Sequence, residues 1–201
     1  MKYNKDTSEK ILTAAITVFE EKGFSGTRMQ EIADKANINK ALLHYYYKSK
    51  DKLFEIILIR AIQLLMPKLA MVFNSEDNFF KKIENFVSVY IDILSEHPHI
   101  PAFVSHEINT NPKRLLKFIE NSGVNITPFI QTIKQEIEKK TIIDIEPEQL
   151  IVNTISLCIF PFIAKPIITN IILKDNKKKY TEFIESRKKE VSRFIINAIK
   201  N

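Results

Sequence analysis

Apolar residues recur along this chain at helical spacing. Ile11, Leu12, Ala15, Val18 and Phe19 share one face of a helix that Asp6 and Glu9 open as a capping box and Gly23 ends. Thr27 followed by Gln30 reads as a second capping box, opening a short helix over about 28–35 with Ile32, Ala33 and Ala36 turned inward. Asn37 tolerates the left-handed conformation of a turn, and Asn39 caps a third short helix ending near Tyr45. Ser49 caps a longer fourth helix from Lys50, which Pro67 is expected to kink or end because proline lacks an amide hydrogen. Further helices are predicted at roughly 76–96, 102–110, 112–121, 126–140, 147–172 and 176–199.

Only three glycines, Gly23, Gly26 and Gly123, punctuate the chain, too few for the tight turns of a sandwich or barrel. The predicted class is therefore all-α, and 45% hydrophobic content over 201 residues suffices for a packed core. Three short helices with close turns meet the requirement of a helix-turn-helix, in which the last helix lies in the major groove. The expected organisation is a DNA-binding domain over 1–50 and a larger helical domain over 51–201.

Charge sharpens that division. Residues 1–52 hold ten Lys and Arg against seven Asp and Glu (net +3), 53–173 hold eleven against thirteen (net −2), and 174–201 hold nine against four (net +5). A basic N-terminal module suits nucleic acid, whereas the C-terminal excess fits the solvated face of a helix. Cys158, the only cysteine, excludes an internal disulfide, and its apolar neighbours mark it as a buried hydrophobe. The polar stretch from Met1 to Lys10 carries no secretory signal, in keeping with a cytoplasmic protein.

Two other functional classes are weaker. Leu150 to Leu173 approaches the length of a membrane span, but Lys165, Asn153, Asn170, Pro161 and Pro166 interrupt it, so a helix at a subunit interface is the better reading. His97, His99, His106 and Glu107 invite a metal or acid–base site, but they follow no ligand spacing on one helix face. No catalytic residues, cofactor or metal are expected.

Residues 8–54 resemble the DNA-binding region of the TetR family of bacterial regulators. The matching positions are Ile11, Ala14, Ala15, Phe19, Gly23, Phe24, Thr27, Ile32, Ala33, Ala36, Ile38, Leu43, Tyr45, Tyr46, Tyr47, Lys48, Ser49, Lys50 and Leu53. The resemblance implies a homodimeric regulator of double-stranded DNA, most simply a repressor released from its operator by a small molecule, with 51–201 as the ligand-sensing and dimerisation domain. Together with the helix spacing it implies a DNA-contact surface of Thr27, Arg28, Asn39, Lys40, Leu42, His44, Tyr46 and Lys50, with Tyr46 and Lys50 at positions that commonly touch phosphates in the family. Where Lys-Gly-Thr-Leu-Tyr is common in the recognition helix, this chain has Lys40-Ala41-Leu42-Leu43-His44, so no known operator transfers to it.

For the effector, the expected apolar walls are Phe86, Tyr90, Phe103, Ile108, Phe129, Ile133, Leu157 and Phe160, and the expected polar groups are His106, Glu107 and Asn109. An unpaired Glu107 in a cavity would favour a cation or a hydrogen-bond donor. The two C-terminal helices are expected to pair with their symmetry mates through Leu150, Ile151, Ile155, Ile159 and Phe162 and through Phe183, Ile184, Val191, Phe194, Ile195 and Ile199.

Overall fold

The structure, a computed structural model, describes residues 5–201. The first four residues of the expected DNA-binding domain lie outside the described residues. The described residues are helical apart from connections and one isolated antiparallel bridge between Ile142 and Lys200. They divide into two compact units, one of residues up to Gln63 together with Ala102–Phe118, the other of Leu64–Pro101 together with Ile119–Asn201.

The first unit begins with α1 (Lys5–Gly26), whose helical path breaks at Gly23. That residue has φ 68° and ψ 173°, a conformation side chains resist, while the space around it is open, so the backbone and not crowding calls for glycine. Glu9 does not reach back to cap α1; its carboxylate accepts from Arg60 Nη1 at 2.8 Å. The second capping box forms one residue later than expected. Arg28 is the N-cap of α2 (Met29–Lys35), and its amide donates to Glu31 Oε2 at 3.0 Å. Asn37 takes the left-handed conformation, φ 53°, that turns the chain toward α3 (Lys40–Tyr46). There Asn39 Oδ1 accepts from the Leu42 amide at 2.7 Å. Ser49 caps α4 (Lys50–Phe73) through the Lys52 amide at 3.1 Å. Ile11, Ala15, Phe19, Ile32, Leu43, Leu53 and Leu58 form the buried core of this unit.

Pro67 does not end α4, which continues to Phe73. By length and composition this helix could cross a bilayer, yet Leu53, Ile57, Leu58 and Ile62 are buried in the first unit and Leu65 and Leu69 in the second, the pattern of a core helix.

In the second unit, α5 (Phe79–Glu96) packs against α11 (Lys177–Ile199) and α9 (Pro147–Ile163), and α8 (Thr127–Glu138) packs against α5 and α9. α6 (Ile100–Thr110) and α7 (Pro112–Asn121) lie between α5 and α8 in the chain. The predicted continuous helix 147–172 is broken: after Ala164 come the short α10 (Lys165–Ile167) and a π-helical turn (Ile168–Ile172), bent from α9 by 67°. Pro166 cannot donate to the Phe162 carbonyl, and its ring crowds that turn. Pro161 leaves the Leu157 carbonyl without its helical donor as well. Arg187 supplies one instead, donating from Nη2 at 2.6 Å, and the Tyr180 hydroxyl donates to the Pro161 carbonyl at 3.0 Å.

Of the residues expected to face a partner chain only Phe194 is exposed, Ile151, Ile155, Ile159, Phe162 and Phe183 are half-buried, and the other five are buried. Leu150, Ile184, Val191, Ile195 and Ile199 are buried within this chain, because α9 and α11 use those faces on α5 and on each other. The large apolar side chains left exposed on these helices are Val152, Phe160, Ile163 and Phe194.

Candidate nucleic-acid interface and effector cavity

Seven residues make α3 only about two turns long, so its orientation depends on what anchors it. Leu43 and Tyr47, four apart, point into the core of the first unit, and the Tyr47 hydroxyl lies 2.7 Å from Ser8 Oγ. The opposite side is thereby held toward solvent. Lys40, Leu42, His44 and Tyr45 are exposed there, with Asn39 at its start and Tyr46 half-buried. His44 Nδ1 lies 3.3 Å from the Lys48 carbonyl, which limits how its ring can turn. Arg28, at the start of α2, is also exposed. Lys22, Lys35 and Arg60 are paired with Glu31, Glu21 and Glu9, whereas the exposed Arg28, Lys40 and Lys48 lie outside those pairs.

Two of the expected contact residues are engaged internally. Thr27 is only 2% exposed, and its hydroxyl donates to the Gly23 carbonyl at 2.7 Å and the Val18 carbonyl at 3.3 Å. It ties the end of α1 to the start of α2 and does not reach the exposed face. Lys50 Nζ donates to the Phe24 carbonyl at 2.7 Å and the Thr27 carbonyl at 3.0 Å, 4.4 Å from the centre of the Phe24 ring. Half-buried, it pins the loop between α1 and α2 to the start of α4. The sequence missed Tyr45, half exposed on the same face as His44; the three-tyrosine run gives no sign of which ring is the core one until Leu43 sets the phase.

The expected effector residues fall into separate places. Phe103 stacks on Phe54 with ring centroids 4.6 Å apart and meets Phe19 edge-on. His106 packs against Phe24 and Phe54 at 4.7 and 5.1 Å. Both belong to the aromatic core of the first unit. Glu107 is fully buried and is met by Arg114, whose Nε and Nη2 donate to its two carboxylate oxygens at 2.5 and 2.8 Å. The guanidinium balances the buried charge that would otherwise call for a cationic ligand. The signal for this pair was an arginine seven residues on, across Pro112. Ile108 and Asn109 are exposed, Ile133 is fully buried, and Leu157 and Phe160 lie on the outer side of α9. His97 and His99 are in the second unit, and the described residues contain no group of three or more His, Cys, Asp or Glu side chains placed to hold a metal ion.

Phe86, Tyr90 and Phe129 do come together. They line a cavity of about 220 Å³ within the second unit, with Leu65, Leu69, Phe73, Ile83, Val124, Ile126 and Thr154 among the other walls. Most of these were missed because periodicity marks them as inward-facing without saying which helices leave a gap between them.

Comparison with known proteins agrees with this architecture. Residues 11–57 match the family described as "Bacterial regulatory proteins, tetR family". The chain is 25% identical over 178 residues to the "Probable HTH-type transcriptional regulator YttP" of Bacillus subtilis, covering 87% of this chain and 86% of that protein. It is 30% identical over 133 residues to the "Biofilm operon icaADBC HTH-type negative transcriptional regulator IcaR" of Staphylococcus epidermidis, covering 58% of this chain and 71% of that one. Among solved structures, the TetR family regulator PfmR of Thermus thermophilus superposes with a TM-score of 0.69 at 17% identity, over 91% of this chain and 97% of that one, a likeness of fold. With its helix-turn-helix module, its all-helical remainder and these relatives, the chain belongs to the TetR family of bacterial transcriptional regulators and is a DNA-binding regulator, not an enzyme.

Proposed function

We propose that this chain is a homodimeric repressor that binds a short, roughly palindromic operator and leaves it when a small molecule occupies the cavity of the second unit. The observation that carries the reading is the outward face of α3, where Lys40, Leu42, His44 and Tyr45 are held in solvent by the burial of Leu43 and Tyr47. Arg28, Asn39, Lys40, Tyr46 and Lys48 supply backbone contacts, and Leu42 and His44 supply base readout, the leucine to a thymine methyl and the histidine as donor or acceptor. Lys50 and Thr27 contribute by holding α1, α2 and the start of α4 in register. The negative regulation named for the Staphylococcus epidermidis relative supports repression. The protein acts in the cytoplasm, where the chromosome is.

The functional division follows the sequence, with DNA binding in 1–50 and sensing and dimerisation in 51–201. α4 is continuous from Lys50 to Phe73, giving Leu53 and Phe54 to the core beside the DNA-binding helices and Leu65 and Leu69 to the cavity wall. A ligand that prefers one inclination of α4 lowers DNA affinity by the factor by which DNA lowers the ligand's affinity. Dimerisation through Phe160 and Phe194, 60% and 66% exposed, sets the spacing of the two recognition helices. Sedimentation tests this. The chain is expected to run as a dimer at micromolar concentration, and Phe160→Glu/Phe194→Glu as a folded monomer with lost operator affinity; a wild-type monomer, or a double variant that remains a dimer, overturns the assignment.

A further inference from the structure

The cavity of the second unit has a chemistry that narrows its ligand. No charged side chain lines it. Phe129, Phe73, Phe86 and Tyr90 form a continuous row of rings along the wall, with successive centroids 4.6, 5.5 and 5.5 Å apart. Two hydroxyl-bearing side chains interrupt the apolar lining. The Thr154 hydroxyl is already engaged, donating to the Leu150 carbonyl at 2.8 Å. Tyr90 is only 6% exposed and lines the cavity; its hydroxyl is not among the fully enclosed unpaired polar atoms, so it keeps accessible surface, and it has no hydrogen-bond partner among the described residues. A buried tyrosine hydroxyl ordinarily finds one. Burial also pushes the Tyr90 phenol well above its ordinary range, which keeps it a donor.

Resting on the reading of this cavity as the effector site, we propose that the effector is a small, uncharged, largely apolar molecule, one aromatic ring in bulk, carrying a hydrogen-bond acceptor that the Tyr90 hydroxyl engages. Size follows from volume. An engineered cavity of about 150 Å³ lined by Leu, Ile and Phe stays dry and takes up benzene. The 220 Å³ here therefore admits a ring with a short side chain, and lies below the roughly 300–1,000 Å³ of sites for drug-sized ligands. Charge is excluded by the walls: a carboxylate or ammonium would lose its hydration with no counter-charge in return. The acceptor follows from Tyr90, since a ligand oxygen at that hydroxyl restores the bond that water supplies in the unfolded chain.

The test uses the full chain and a matched set of probes, titrated calorimetrically: propiophenone, propylbenzene, hydrocinnamate and phenethylammonium. Propiophenone and propylbenzene are expected to bind, the ketone more tightly, and both charged analogues at least about tenfold more weakly than the ketone. Tyr90→Phe is expected to reduce the ketone's affinity by about three- to tenfold and leave that of propylbenzene unchanged. Val124→Phe, or Leu69→Phe where the former does not fold, is expected to abolish binding of both by filling the space. Charged probes that bind as tightly as the ketone, a ketone indifferent to Tyr90→Phe, or no binding by any probe would each overturn the proposal. A ketone that binds in the expected way but leaves DNA affinity unchanged upholds the ligand class and overturns the sensing role.

Discussion

Lys40 and Lys50 stand ten residues apart in the same module and differ in what their charge does. Lys40 is exposed at the start of α3, so its ammonium is available to phosphate, whereas that of Lys50 is bonded to the Phe24 and Thr27 carbonyls. Lys40→Ala is expected to weaken binding to all DNA sequences and reduce the salt slope by about one while leaving the melting temperature unchanged. Lys50→Ala is expected to lower stability by roughly 1–3 kcal/mol, because it strips two part-buried carbonyls of their donor. Thermal melts alongside salt titrations of both variants separate the two roles, and equal melts would refute the assignment. His99 makes a residue-level prediction about pH. Burial lowers its pKa from the usual 6.5 to about 4, with His97 nearby adding to the effect. The unfolded chain thus binds the proton more readily than the folded one between those values. The His99 contribution is complete above about 6.5 and is lost as pH falls toward 4. His99→Gln is expected to flatten the decline of melting temperature across that window, and an unchanged decline would contradict burial of His99 as its cause.

Helix starts were legible because a cap is chosen by neighbours within three residues. Asn39 and Ser49 cap where they were expected to, and Asn37 takes its left-handed turn. At Thr27 the same rule erred by one residue: the threonine hydroxyl found carbonyls of α1, a partner no local pattern announces, and Glu31 served Arg28 instead. Prolines were harder, since their effect depends on what replaces the missing bond. α4 passes through Pro67 unbroken, and α9 passes through Pro161 where Arg187 reaches the orphaned Leu157 carbonyl from α11. That substitution is a measurable coupling. Arg187→Met is expected to cost about 1–3 kcal/mol, and markedly less in a Pro161→Ala background, where the helix supplies its own donor. Additive effects in the double-mutant cycle would show that the arginine acts otherwise. The cavity was legible only in Phe86, Tyr90 and Phe129, because Phe103 and His106 are just as clearly inward-facing but belong to the core of the other unit.

For the whole molecule, sequence and fold converge on a regulator whose proposed recognition face and proposed effector cavity occupy different units, with α4 contributing residues to both units. The proposed dimer would give such a protein its selectivity, because two recognition helices at a fixed separation read two half-sites where one short helix reads only a few bases. The central claim is sequence-selective DNA binding through the exposed face of α3, and the most direct measurement is a fluorescence-anisotropy titration of the full chain. The titrated duplexes would be the DNA flanking its own coding region and a scrambled duplex of equal length, each at several salt concentrations. Selective binding by at least about a thousandfold is expected, lost for both duplexes as salt rises, with His44→Ala narrowing the gap between them. Equal affinity for the two duplexes across all the flanking DNA, or a gap untouched by His44→Ala and Leu42→Ala together, would contradict it.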